Sequence, residues 1–272
     1  MYQKQHTTSR SPSDGVGQVI ETTTPVKKPA ADLPSDDFFE ATSHKPLYPT
    51  GVPEYSLGGR IEGIHVLGIL HGHPKTIERL TTAIIQFNPD IVAVEASREA
   101  IFQHHPDQYE LDWPPEHELE AAGYAARHND SLSIAGIDLP HWEWPLDGKE
   151  RFAKVDADVL SELGVIDTPS DLTSDSYHLL DLPTIRKWRE RTQLRIPDLF
   201  NQVITIRDDA MAGHLHELYQ MDTVDTVVAV VGMQHLTGVL DRLQIPYLIP
   251  DTRFERPPIY TYNPSELKEQ FR

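Results

Sequence analysis

From residue 61 onward, short apolar runs alternate with longer stretches in which apolar side chains recur every three or four positions. That texture predicts alternating strands and helices. Residues 61–69 read as a first strand, its apolar run reaching Leu70. Pro74 opens a helix, where a missing N–H costs nothing, and Ile77, Leu80, Ile84 and Ile85 form its apolar stripe. Asn88, Pro89 and Asp90 stop it, and residues 91–94 give a second strand. A strand, a helix and a strand in this order imply parallel strands joined by a right-handed crossover.

Further along, residues 96–105 read as helical, with Pro106, Pro114 and Pro115 breaking the chain after them. Residues 118–127 predict a small Ala-rich helix and residues 132–137 a third strand. Residues 141–195 are mostly polar and helical, with loops around Gly148 and Pro169, and read as an inserted helical cap. Residues 197–219 predict a long helix, 226–231 a fourth strand, 236–243 a helix and 246–249 a short last strand. The expected fold is therefore α/β, with a mostly parallel central sheet flanked by helices. Residues 1–57 show no sustained periodicity and are rich in Thr, Ser, Pro, Lys and Asp, so they read as a disordered tail. Phe38-Phe39 is its one candidate docking point. The domain organisation is a tail over 1–57 and one α/β domain over 58–272, with no internal repeat beyond two short motifs described next.

In open α/β sheets, ligands bind beyond the carboxyl ends of the strands. Here the first strand runs into Gly68-Ile69-Leu70-His71, the second ends at Glu95, the third at Asp138, and the fourth runs into Gly232-Met233-Gln234-His235. If the strands are parallel, these residues converge on one sheet edge. Two imidazoles and a carboxylate are common ligands for zinc, cobalt, manganese or iron. Glycine three residues before each histidine would let the backbone turn as the strand ends. A lone Gly-x-x-His is a weak pattern, and a single histidine at a strand end is more often structural. The second copy and Glu95 strengthen the metal reading. His73 reads as solvent-facing, and His104, His105, His214 and His216 as surface residues.

On the 197–219 helix, Phe200, Ile204, Met211, Leu215 and Leu218 share a face with Arg207. A buried arginine needs a partner. Arg207 either anchors a carboxylate, from Glu95, Glu118 or a substrate, or snorkels to the edge. Asp208 either supports its neighbour or is solvated.

Bulk composition narrows the functions. The 272 residues carry a formal charge of −18, with 15 Arg and 9 Lys. So acidic a surface disfavours nucleic acid and anionic lipid as partners; acid excess with few lysines also fits adaptation to high salt. Absence of cysteine excludes disulfides, Cys-based zinc sites and thiol catalysis. No apolar run approaches the ~20 residues of a membrane span, and residues 1–10 lack a secretory core. The expectation is a soluble, cytoplasmic protein.

Taken together, Gly68-Ile69-Leu70-His71, Val94-Glu95 with Arg98, Glu118-Leu119-Glu120-Ala121-Ala122, Arg207-Asp208-Asp209-Ala210-Met211-Ala212 and Val230-Val231-Gly232-Met233-Gln234-His235 resemble the TraB family. That family includes PrgY-like proteins and is related to the Tiki metalloproteases. The resemblance covers about residues 60–245. It departs at Asp138-Leu139, where relatives commonly have Asp-Arg, and in lacking the membrane helices that follow the domain in many relatives. It implies a metal-dependent, peptidase-like site using Mn, Co or Zn. His71 and His235 would be metal ligands, Glu95 a ligand or general base, and Glu118 and Arg207 residues that orient the ligands or hold a substrate carboxylate; Glu95, Glu118 and Arg207 form the implied catalytic set. Three functions follow: a hydrolase acting on peptides, a non-catalytic protein that sequesters a peptide or small ligand, and a different hydrolase or haem-handling protein. The absence of a Gly-x-Ser-x-Gly motif counts against a serine esterase. Oligomeric state is not legible in the sequence.

Overall fold

The computed structural model describes residues 58–97, 100–101, 115, 117–129, 131–140, 148–166 and 180–261. The expected tail over 1–57, Phe38-Phe39, Arg98, His104, His105 and most of the 96–105 helix lie outside the described residues.

Among the described residues, six strands form one sheet: β1 (Gly58–Ile61), β2 (Ile64–Ile69), β3 (Ile91–Val94), β4 (Ser133–Gly136), β5 (Val227–Gly232) and β6 (Ile259–Thr261). Their order is β1-β2-β5-β3-β4-β6. The inner strands β2, β5, β3 and β4 run parallel, whereas β1 on β2 and β6 on β4 are antiparallel. The sheet is thus mixed rather than mostly parallel. The physical reason lies at its two edges. What reads as one strand over 61–69 breaks at Glu62-Gly63, where Glu62 takes φ 53°, and folds back as a hairpin. At the other edge, β6 returns antiparallel from a segment without a strong strand pattern.

The central strands are continuous apolar runs because they are covered on both faces. β5 is buried along its whole length. On one face, Val66, Ile91, Ala93, Val227, Ala229 and Val231 pack with Met211, Leu215, Leu236 and Val239. On the other, Leu67, Ile69, Val92, Val94, Val228 and Val230 pack with Leu80, Ile84, Leu119 and Ala122.

The second face carries α1 (Pro74–Phe87) and α2 (Glu118–His128). His73 is the N-cap of α1, accepting from the Lys75 amide at 3.2 Å, so its role is structural rather than solvent-facing. The first face carries α3 (Lys149–Glu162), α4 (Leu182–Arg195), α5 (Pro197–Phe200), α6 (Ile206–Tyr219) and α7 (Met233–Gln244). Both α3 and α4 belong to the expected 141–195 insertion. The predicted 197–219 helix is interrupted by a π-helical stretch, Asn201–Thr205, one turn before Arg207. The predicted last strand, 246–249, is instead a 3₁₀ turn over Pro246–Leu248, as the proline at its first position favours. Among the described residues, no helix is long and apolar enough to cross a membrane.

Candidate functional site

The parallel strands carry their chemistry to one edge, as expected. His71 follows β2, Glu95 follows β3, Asp138 follows β4, and His235 lies in the first turn of α7, directly after β5. Glu118 comes in from the start of α2, and Arg207 and Asp208 from the start of α6.

Glu95 is the centre of the arrangement. Its Oε2 lies 3.6 Å from His71 Nε2 and its Oε1 lies 3.6 Å from His235 Nε2. Oε2 also accepts from the Gly232 amide, and Oε1 from Arg207 Nη2. Each histidine is held from behind by a second carboxylate. His71 Nδ1 lies 2.5 Å from Glu118 Oε1, and His235 Nδ1 lies 2.6 Å from Asp208 Oδ1. The two motifs therefore build the same unit twice: a ring pinned at Nδ1 by a carboxylate, with Nε2 turned toward one oxygen of Glu95.

The glycines serve this geometry differently from the sequence expectation. Neither Gly68 nor Gly232 adopts a positive φ; the left-handed turn is at Gly72, φ 68°. A Cβ on Gly232 would stand 3.1 Å from both Glu95 Oε2 and His71 Nε2, so the missing side chain leaves room for that pair. A Cβ on Gly68 would stand 2.8 Å from Leu236 Cδ2, so this glycine lets α7 close onto β2. The requirement is close approach, not backbone turning.

Arg207 is buried and does not snorkel. Its Nε donates to Asp138 Oδ1 at 3.0 Å and its Nη2 to Asp138 Oδ2 at 2.7 Å, while Nη2 also reaches Glu95. Its Nη1 lies 3.1 Å from His235 Nε2. Of the partners expected for it, Glu95 is engaged and Glu118 is not; Asp138 is the partner that sequence reasoning left unassigned. Leu139 contributes its backbone amide to Asp138 Oδ1 at 2.8 Å.

The electrostatics follow from this packing. Burial alone would lower the His71 pKa, but the hydrogen bonds and charges of Glu118 and Glu95 raise it to about 10. Burial works against ionisation of Glu95, yet His235, His71 and Arg207 hold it well below the usual carboxylate range. Burial likewise opposes ionisation of Glu118, but the hydrogen bond and charge of His71, together with the backbone amides of Glu118 and Gly72, lower its pKa. Burial pushes Asp138 upward despite Arg207. His71 is the accessible member: its side chain is 49% exposed, against 6% for Glu95 and 4% for His235.

Behind His235 lies a layer that the sequence did not flag. Arg189 of α4 donates Nη2 to Asp208 Oδ2 at 2.7 Å and Nη1 to the Gln234 carbonyl. The Gln234 side-chain amide donates to Asp156 of α3, which also accepts from Trp188 Nε1 at 2.7 Å. Asp208 is fully buried, not solvated. His214 and His216 are half-buried rather than fully on the surface. His214 Nδ1 meets the Ile137 carbonyl at 2.7 Å, and His216 packs edge-on against Phe254. No sequence signal marks Arg189 or Asp156, since both sit on polar helices where charges are ordinary.

In donor chemistry, the site suits a divalent cation. His71 Nε2, Glu95 and His235 Nε2 are the side chains that would hold such an ion. Among the described residues, however, no group of three or more His, Asp or Glu side chains is disposed to hold a metal as it stands. Arg207 Nη1 already occupies the His235 lone pair and would have to give way. No protein-family model and no curated protein matches this chain.

Proposed function

We propose that this chain is a metal-dependent hydrolase of the TraB type acting on peptides, with His71, Glu95 and His235 holding a divalent ion such as Mn, Co or Zn. The observation behind this reading is the duplicated unit: two imidazoles backed at Nδ1 by carboxylates, each turning Nε2 toward the same glutamate at 3.6 Å. Metal-binding histidines characteristically donate their other N–H to a carboxylate, which fixes the tautomer and the ring orientation. When bound, such an ion would acidify a water and polarise a scissile carbonyl.

The chain's own residues have separable tasks. Glu118 and Asp208 orient the two rings. Arg207 bridges Glu95 and Asp138 and so offsets part of the repulsion between two carboxylates on one buried edge. Arg207 has its donors engaged inside the site, which assigns it to ordering Glu95 rather than to gripping a substrate carboxylate. The peptide class rests on the resemblance of the motif series to the TraB family.

The test is cleavage of a mixed peptide library, followed by mass spectrometry, with protein loaded with Mn, Co or Zn. His71→Ala and His235→Ala should each abolish cleavage while the fold persists. Cleavage surviving in either variant contradicts the assignment. A second reading, a binding protein that sequesters a peptide or small ligand without chemistry, is favoured by the Arg207 contact on His235 Nε2, which fills the cation position with a guanidinium. Recovery of intact ligand from a tight complex would support it.

A further inference from the structure

Hydrogen-bond accounting around His235 assigns more than a ligand. A guanidinium only donates, so the Arg207 Nη1 contact at 3.1 Å requires a bare Nε2. The ring proton must then sit on Nδ1, where Asp208 Oδ1 receives it at 2.6 Å. In this arrangement the ring carries a proton at Nδ1, toward Asp208, and turns Nε2 to Arg207 and Glu95. This tautomer depends on Asp208 staying in place, and Asp208 is held from outside its own helix.

Three observations converge on that outer hold. Arg189, from the inserted helix α4, donates to Asp208 Oδ2 and to the carbonyl of Gln234, the residue before His235. Its guanidinium lies 5.4 Å from the Phe200 ring centroid, which supports its plane. A Cβ on Gly238 would fall on Asp208 Oδ2 and Arg189 Nη2. Gly238, one turn after His235, is the opening through which this ion pair packs against α7. Arg242 approaches the same oxygen only at 3.8 Å and is committed to Asp209 Oδ1 at 2.5 Å.

We propose that Arg189 is a positioning residue for the site: through Asp208 and the Gln234 carbonyl, it fixes the tautomer and aim of His235, making the helical insertion part of the active centre. The effect on the ring stands on geometry alone; the consequence for metal affinity rests on the metal reading proposed above.

The experiment uses the full chain labelled with 15N-histidine at pH 7, with His235 identified by the signals lost in His235→Gln. Wild type should show a single ring state that carries a proton at Nδ1. Arg189→Gln and Gly238→Ala should each convert it to a mixture with the Nε2-protonated form, with unchanged circular dichroism. Arg189→Lys, which retains a cation for Asp208, should largely restore the wild-type signal. Manganese or cobalt affinity should fall about 10–100-fold in the first two variants. A wild-type ring that is not protonated at Nδ1 overturns the proposal, as does an unchanged ring signal in folded Arg189→Gln or Gly238→Ala. Gly238→Ala keeps every charge, so it decides the matter if Arg189→Gln does not fold. If the wild type binds no metal, the hydrolase reading fails, while the tautomer measurement still decides the role of Arg189.

Discussion

Replacing Asp156 with asparagine should stabilise the protein, and more so at alkaline than at acid pH. Asp156 lies between α3, α4 and the start of α7, facing Trp188 Nε1, Thr192 Oγ1 and the Gln234 amide. Among the described residues no cation pairs with it. Burial raises its pKa from 3.8 to about 7, against the opposing hydrogen bonds of Trp188 and Thr192. The folded chain thus keeps a proton that the unfolded chain releases near pH 4. Stability contributed at this position falls as pH rises from about 4 to about 7 and then levels off. At ~1.4 kcal/mol per unit, a shift of about three units costs at most about 4 kcal/mol above pH 7, and roughly 1.5 kcal/mol at pH 5. Relaxation and the partial exposure of the residue reduce both figures, so a difference of roughly 1–3 kcal/mol between the two pH values is expected. Asparagine removes the titration and offers a donor to Gln234 Oε1, which is buried without a partner. Urea denaturation of wild type and Asp156→Asn at pH 5 and pH 8 measures the effect. Equal stability differences at the two pH values, or a variant less stable at pH 8, would refute the reasoning.

Other consequences are equally direct. In the metal-free protein the raised pKa of His71 makes its pairing fully present below about pH 6.5 and lost only as pH rises through about 10; an NMR titration of metal-free protein should find His71 charged at pH 8 and Glu118→Gln should lower its pKa, whereas a wild-type midpoint near 6.5 contradicts the pairing. Gly232→Ala would press a methyl group against Glu95 and His71. It should weaken metal binding by about tenfold or more while costing only about 1–2 kcal/mol of stability, and undiminished binding would sink that view. Gly213→Ala would drive a Cβ into the Arg253 carbonyl, backbone that cannot swing aside. That should outweigh the ~1 kcal/mol gain in helix propensity and lower stability by about 1–3 kcal/mol in thermal or chemical denaturation; a stabilised variant would show that the 251–253 turn yields.

The inner strands were legible because burial on both faces demands unbroken apolar runs, as in residues 64–69 and 227–231. Their order was not, since β5 inserts between β2 and β3 through pairings more than 130 residues apart. The edge strands escaped notice because β1 merges in sequence with β2, and β6 is only three residues long. The site's location followed from the rule that parallel strands deliver their ends to one edge, so His71, Glu95, Asp138 and His235 were identifiable before their contacts were. The partnerships were less accessible. Arg207 visibly needed a carboxylate, but which one depends on the π-helical register just before it. Nothing in the periodicity of α4 distinguishes Arg189 from the exposed arginines beside it.

The most direct test of the central claim is metal content, by elemental analysis, of purified wild type beside His71→Ala/His235→Ala after loading with manganese, cobalt and zinc in turn. Near-stoichiometric metal in wild type and its loss in the folded double variant is the expected result. A folded wild type that retains no metal would contradict it and leave Arg207 as the cation around which the site is built.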